Sequence, residues 1–127
     1  LLECTVSNAP DLHAARVVAK SIIGSTLFKA ATFGADANWG RVLCAIGYSG
    51  IALDVKKIDV SFESEAGMIK VCENGYGLDF SEELAKEILM KDEIRILVDL
   101  RSGDATATAW GCDLTYDYVK INGSYRS

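Results

Sequence analysis

The chain has 127 residues, half of them apolar and 24% charged, which is enough for one domain with a true core. Its formal net charge is −5 with acids and bases interspersed, so there is no basic stripe to neutralise nucleic-acid phosphates. No apolar run reaches the ~20 residues that span a bilayer, and the first residues do not read as a signal peptide.

The chain opens on leucine rather than methionine, directly into a strand pattern, which predicts a missing upstream segment. Leu2, Cys4 and Val6 alternate with Glu3 and Thr5, as in a half-buried strand. Ser7 to Asp11 supply a turn, cap candidates and a first-turn proline, Pro10. Leu12, Ala15, Val18, Ala19 and Ile22 then share one face of a helix that stops at Gly24. The run Leu27 to Phe33 reads as a strand ended by Gly34. Trp39, Val42, Leu43 and Ile46 have helical spacing, with Asp36 or Asn38 as the cap and a stop near Gly50.

The second half is richer in strands. Ile58, Val60 and Phe62 alternate with polar neighbours, Ile69 and Val71 mark another strand, and Asn74-Gly75 is a hairpin turn signal. Ser81 caps a helix whose first turn carries Glu82 and Glu83, matched to the positive helix end. Ile94, Ile96, Val98 and Leu100 form the clearest strand, and Ser102-Gly103-Asp104 turn it back into Thr106 to Leu114. Tyr116 to Ser127 is ambiguous between a short helix and coil. The predicted order is β-α-β-α-β-β-α-β-β with a tail. This is an α+β class: a mixed sheet with hairpins and about three packed helices in a single compact domain over residues 1–127.

Signs of catalytic chemistry are sparse. There is no phosphate-binding loop and no nucleophile elbow. Cys4, Cys44, Cys72 and Cys112 are widely spaced in apolar patterns, which predicts four buried thiols, a reducing compartment and no metal site. His13, the only histidine, lies opposite the apolar helix face and reads as solvent-exposed. Glu63/Glu65 and Glu82/Glu83 read as solvated carboxylates rather than a catalytic dyad. The segment Gly34 to Arg41 allows two readings. Its backbone N–H groups and Arg41 could hold an anion, or it could be a structural turn with Trp39 packed and Arg41 tied to an acidic neighbour.

That segment, Phe33-Gly34-Ala35-Asp36-Ala37-Asn38-Trp39-Gly40-Arg41-Val42-Leu43, resembles the signature stretch of the ArgJ family. The stretch from Ala109-Trp110-Gly111-Cys112-Asp113 to Ile121-Asn122, closing on Tyr125-Arg126-Ser127, is similar to the family's C-terminal motif. Val17 to Ser21 and Ser102 to Thr108 resemble further family segments in the same order, so the likeness covers essentially the whole chain.

The resemblance implies a glutamate N-acetyltransferase (ornithine acetyltransferase). Such enzymes move an acetyl group from N-acetylornithine to glutamate, giving ornithine and N-acetylglutamate in arginine biosynthesis, and some members also use acetyl-CoA as co-substrate. It implies no other cofactor, no nucleic acid and no membrane. It implies autocatalytic cleavage, an α2β2 heterotetramer and a cytoplasmic location, or the mitochondrial matrix in a eukaryote. The nucleophile is the threonine freed at the cut, whose own amine can serve as base. The family's Met-Ala-Thr-Met-Leu stretch is absent here, as are the oxyanion donors of the α chain and a substrate-binding glutamate expected just before Leu1. The chain thus corresponds to the C-terminal part of the β chain, inactive alone, with no catalytic residue of its own. Its partners would be the α chain and the remainder of the β chain. The residues carried over are Asn122 and Ser127, as substrate-binding groups. The alternatives are a catalytically silent assembly domain, or a diverged acyltransferase acting on another amino-acid-like substrate.

Overall fold

The computed structural model describes residues 1–112 and 119–122. Its first strand, β1 (Leu2–Ala9), buries Leu2, Cys4 and Val6 completely, as the alternation predicts. There follow α1 (Leu12–Ile23), α2 (Thr26–Phe33), α3 (Trp39–Tyr48) and a single 3-10 turn at Val55–Lys57. Then come β2 (Asp59–Ser64), β3 (Gly67–Glu73), the two-residue β4 (Tyr76–Gly77), α4 (Glu82–Leu89), β5 (Ile94–Asp99), β6 (Ala105–Gly111) and β7 (Val119–Asn122). The strands form one sheet in the order β4-β3-β2-β5-β1-β6-β7. Only β1 and β5 run parallel, and every other described pair is antiparallel. The α+β, mixed-sheet expectation holds.

One face of this sheet is apolar across its width. Ile69, Phe62, Ile96, Cys4 and Ala109 occupy successive register positions on five strands, and all are buried. The face is covered by helices. From α1, Ala14, Ala15, Val18, Ala19, Ile22 and Ile23 are buried, and its alanines let the helix approach β1 and β6 closely. Ala85, Ile88 and Leu89 of α4 cover β2 and β3. Together these side chains form one continuous core. Phe28 stacks on Phe62 with centroids 6.4 Å apart, joining the helical layer to the sheet.

Several elements differ from expectation. Leu27 to Phe33 is the helix α2, not a strand, so four α-helices are described rather than three. The Ser25 hydroxyl accepts from the Phe28 N–H at 3.1 Å, and Phe28, Ala31 and Thr32 are buried at helical spacing. The run misleads because Leu27, Ala30 and Phe33 on the outer face are apolar as well, which erases the amphipathic period. Pro10 precedes the cap rather than joining the first turn, since Asp11 is the N-cap and accepts from the Ala14 N–H at 2.7 Å. β5 does not fold back on β6 as a hairpin, because β1 lies between them. The connection crosses the end of β1, with the Leu100 N–H donating to Ser7 O and the Ser102 N–H to Asn8 O. Within the tail, residues 119–122 are the edge strand β7, neither helix nor coil. Only two of the cysteines, Cys4 and Cys72, are buried, whereas Cys44 on α3 is exposed and Cys112 half-buried. His13 is exposed, as expected.

The hairpin signal Asn74-Gly75 joins β3 to β4, with Glu73 opposite Tyr76 and positive φ at both turn residues (55° and 78°). This turn carries Gly77 under the ring of Trp39. A Cβ added at Gly77 would stand 2.3 Å from the Trp39 ring. Asn38 caps α3, accepting from the Arg41 N–H at 3.0 Å, and the Arg41 guanidinium donates to Leu27 O at 2.8 Å. The segment 34–41 therefore ties α2, α3 and β4 together.

Gly77→Ala should lower stability by about 1–3 kcal/mol, since the ring must leave its place. Measured by denaturant unfolding, a loss below ~0.5 kcal/mol would show that Trp39 shifts freely. For Arg41→Ala, the loss should be about 0.5–1.5 kcal/mol, that of one hydrogen bond, rather than the larger cost of breaking a buried ion pair.

Candidate functional site

The face of the sheet opposite the helices is a row of half-buried, mostly polar side chains. It arises from the same alternation that makes the core, because residues between the buried ones must face the other way. Thr5 and Thr108 are cross-strand partners, and their hydroxyls lie 3.0 Å apart. One step along the strands, the Trp110 indole N–H donates to Glu3 at 2.9 Å. Arg95 donates to Glu63 at 2.9 Å, and this bond holds the guanidinium above its usual range. Glu65 lies 3.7 Å from Lys91, so Glu63 and Glu65 are bound to cations and do not form a dyad.

Toward the other end of the strands lies a hollow of about 390 Å³ lined by Thr5, Ser7, Asp59, Ser61, Met68, Lys70, Leu97, Val98 and Asp99. Asp59 and Asp99 stand directly opposite each other on β2 and β5. Two like charges in that position repel, and the surroundings neutralise them. Lys70 lies 3.3 Å from Asp59 and 3.1 Å from Glu73. Those contacts, Glu73 first and then Asp59, raise the ammonium above its ordinary range. Arg101 approaches Asp59 at 3.7 Å and also donates to Asn74 and to Lys57 O. Asp99 accepts from the Asn8 amide and from the Arg101 N–H, both at 2.9 Å. Asn8, Asn74 and Arg101 all have positive φ and all serve this cluster. Asparagine tolerates that conformation well, whereas for Arg101 it is a strain held by these bonds.

The arrangement can bind polar groups, but the described residues do not pair a nucleophile with a base. The thiol of Cys4 is pushed far up by burial and, secondarily, by Glu3, and Cys72 is also raised by burial, so neither supplies a thiolate. Among the described residues no cluster of His, Cys, Asp and Glu could hold a metal ion, and no helix is long and apolar enough to cross a membrane.

Of the residues singled out in the sequence, Asn122 is described by its backbone. It pairs with Thr108 on β6, which pairs with Thr5, so it stands in the same cross-strand row as the two hydroxyls. Ser127 and the tyrosines Tyr116, Tyr118 and Tyr125 lie outside the described residues. The segment 34–41 forms a structural turn with Asn38 as the cap of α3. The Asn38, Trp39 and Arg41 N–H groups all have partners within the segment, and the guanidinium is bound to a carbonyl instead of an acidic side chain. Sequence reasoning missed the Thr5–Thr108 row and the Asp59–Asp99 cluster. The polar alternation within each strand was visible, but which strands become neighbours was not.

The match to known proteins is extensive. The model of the ArgJ family fits residues 1–127. An "Arginine biosynthesis bifunctional protein ArgJ" from Caldanaerobacter subterraneus subsp. tengcongensis is 56% identical over 127 residues, all of this chain and 32% of that protein. The protein of the same name from Thermotoga neapolitana is 52% identical over the same length, again 32% of its own. The crystal structure of the Bacillus halodurans arginine biosynthesis bifunctional protein argJ superposes with a TM-score of 0.82 at 45% identity, covering 92% of this chain and 54% of that one. The chain thus spans about a third of the length of these curated relatives. A family model fitted from the first residue to the last leaves one assignment: this chain belongs to the ArgJ family.

Proposed function

We propose that the chain is the C-terminal part of the β chain of a glutamate N-acetyltransferase, working in arginine biosynthesis. The whole protein would move an acetyl group from N-acetylornithine to glutamate through an acetyl-threonine formed upstream of Leu1. The observation that carries this reading is the family match over all 127 residues, which includes the final motif with Asn122 and Ser127. The relatives are named bifunctional, and acetyl-CoA as a second acetyl donor is part of this proposal. In this reading the precursor cleaves itself, the fragments assemble as an α2β2 heterotetramer in the cytoplasm, and this chain supplies scaffold and substrate contacts.

The substrates carry a carboxylate and, for ornithine, a side-chain ammonium. An asparagine amide both donates and accepts, so Asn122 suits either group. Ser127 would add a hydroxyl that can donate or accept. β7 pairs with β6 with Asn122 opposite Thr108, so the backbone at Asn122 belongs to a strand rather than a loop.

Losing one hydrogen bond to a charged group costs about 1.5–3 kcal/mol, or roughly one to two decades in affinity. In the full-length enzyme, Asn122→Ala or deletion of Ser127 should therefore raise KM for N-acetylornithine by about 10- to 100-fold. Autocleavage, read on a denaturing gel, should proceed as before. A bulky C-terminal tag should reproduce the deletion, and normal kinetics in both the truncated and the tagged enzyme would remove these residues from the site. Purified alone, residues 1–127 should show no transfer from N-acetylornithine to glutamate. Turnover above background would place a nucleophile within the chain and overturn the reading.

A further inference from the structure

Asn74-Gly75 is one of two Asn-Gly pairs in the chain, the other being Asn122-Gly123. An asparagine followed by glycine is open to attack by its own backbone. The nitrogen of the following residue bonds to the amide carbon, Cγ, and the bond from Cγ to Nδ2 breaks. The proton of that nitrogen departs with Nδ2 as ammonia, leaving a succinimide ring. Water then opens the ring at either carbonyl. The products are aspartate and isoaspartate, in which the main chain runs through the side-chain carbons. Glycine favours the first step because no Cβ shields its nitrogen.

The fold exposes Asn74 and yet restrains both reacting groups. The Gly75 N–H donates to Ile58 O at 2.9 Å, and a Cβ added at Gly75 would collide with Val55 O. The nucleophile is therefore engaged and packed against the 3-10 turn. The Asn74 N–H donates to Asp59 at 3.0 Å, and Asn74 Oδ1 accepts from Arg101 Nη2. To reach the Gly75 nitrogen, Cγ must turn about the Cα–Cβ bond, which takes Oδ1 off the guanidinium. A guanidinium on Oδ1 also draws electrons from Cγ, but that helps only a carbon already beside its nucleophile. Restraint outweighs activation. Among the described residues Arg101 is the one side chain bonded to this amide. It reaches Asn74 from the crossover after β5, with a φ of 47° and a partly exposed side chain.

We propose that Asn74 is a deamidation site and that Arg101 guards it. Conversion does more than add a charge. Isoaspartate lengthens the main chain of the turn by one carbon just ahead of Gly77, whose place is under the Trp39 ring. It also sets a new carboxylate beside Asp59 and Glu73. The aged turn thereby loosens β4 from the segment 34–41. This chemistry is separate from acetyl transfer and does not depend on that reading.

The test compares full-length wild type with Arg101→Gly, in which glycine accepts the positive φ while the guanidinium is lost. Both are incubated folded at mildly alkaline pH and digested, and the peptide carrying Asn74 is followed by mass spectrometry. Arg101→Gly should convert about tenfold faster, since losing one hydrogen bond to a charged group releases the amide that much more often. Melting curves confirm that the variant is folded at the incubation temperature. Arg101→Lys, which keeps the charge without the fork, should convert at an intermediate rate. In denaturant all three proteins should convert at one rate. In a Trp110→Phe background, the converted wild-type fraction, separated by ion exchange, should show red-shifted Trp39 emission. Equal rates in the folded wild type and both variants would overturn the guard. A slower rate in Arg101→Gly would overturn it too, because polarisation by the guanidinium would then prevail. Conversion in denaturant but in none of the folded proteins would remove the site itself.

Discussion

Everything in this fold depends on β1 being held along both edges. It pairs in parallel with β5 and antiparallel with β6, and its core-facing side chains Leu2, Cys4 and Val6 touch no water. Both partners are contributed some ninety or more residues later, so the pairing closes long loops before it returns any burial. The order of the sheet, the parallel step and the crossover at Leu100–Ser102 all follow from that insertion. Once β1 is seated, α1 must lie across β1 and β6, and the other helices fill the same side.

A sheet covered on one side leaves a second face to solvent, and its chemistry differs from one end to the other. Near Leu2 the polar groups pair across strands, as Trp110 with Glu3 and Arg95 with Glu63. Near Ser7 Asp59 and Asp99 stand opposite each other, and Lys70, Arg101, Asn8 and Asn74 converge on them. This convergence holds three non-glycine residues at positive φ. The turn of β3–β4 and the crossover after β5 are thereby fastened to each other through Arg101, which contacts both the 3-10 turn and Asn74. Partly exposed ion pairs contribute little singly. Here their effect is positional, since they set where two loops end.

Much of this was legible in the sequence because the signals were local. The alternation in Leu2–Val6 and Ile94–Leu100, the cap at Ser81, and the Asn74-Gly75 turn each act within a few residues. The errors have local causes as well. α2 resembles a strand in sequence because its outer face, Leu27, Ala30 and Phe33, is apolar, while Lys29 and Thr32 lie among its buried residues. The β5–β6 hairpin was expected because Ser102-Gly103-Asp104 has turn chemistry, and turn chemistry does not say which strand intervenes. The Asp59–Asp99 cluster draws on residues from positions 8 to 101, and no spacing rule joins them.

The same distinction governs the site residues. Asn122 came from a motif, with nothing in the surrounding pattern to say what stands beside it. The sheet supplies that neighbour: β7 pairs with β6 from Val119–Gly111 to Asn122–Thr108. The strand direction then matters. β7 runs parallel to β1 in space, so the backbone at Asn122 is already directed toward the Ser7 end of the sheet, where the charged hollow lies, and away from Leu1.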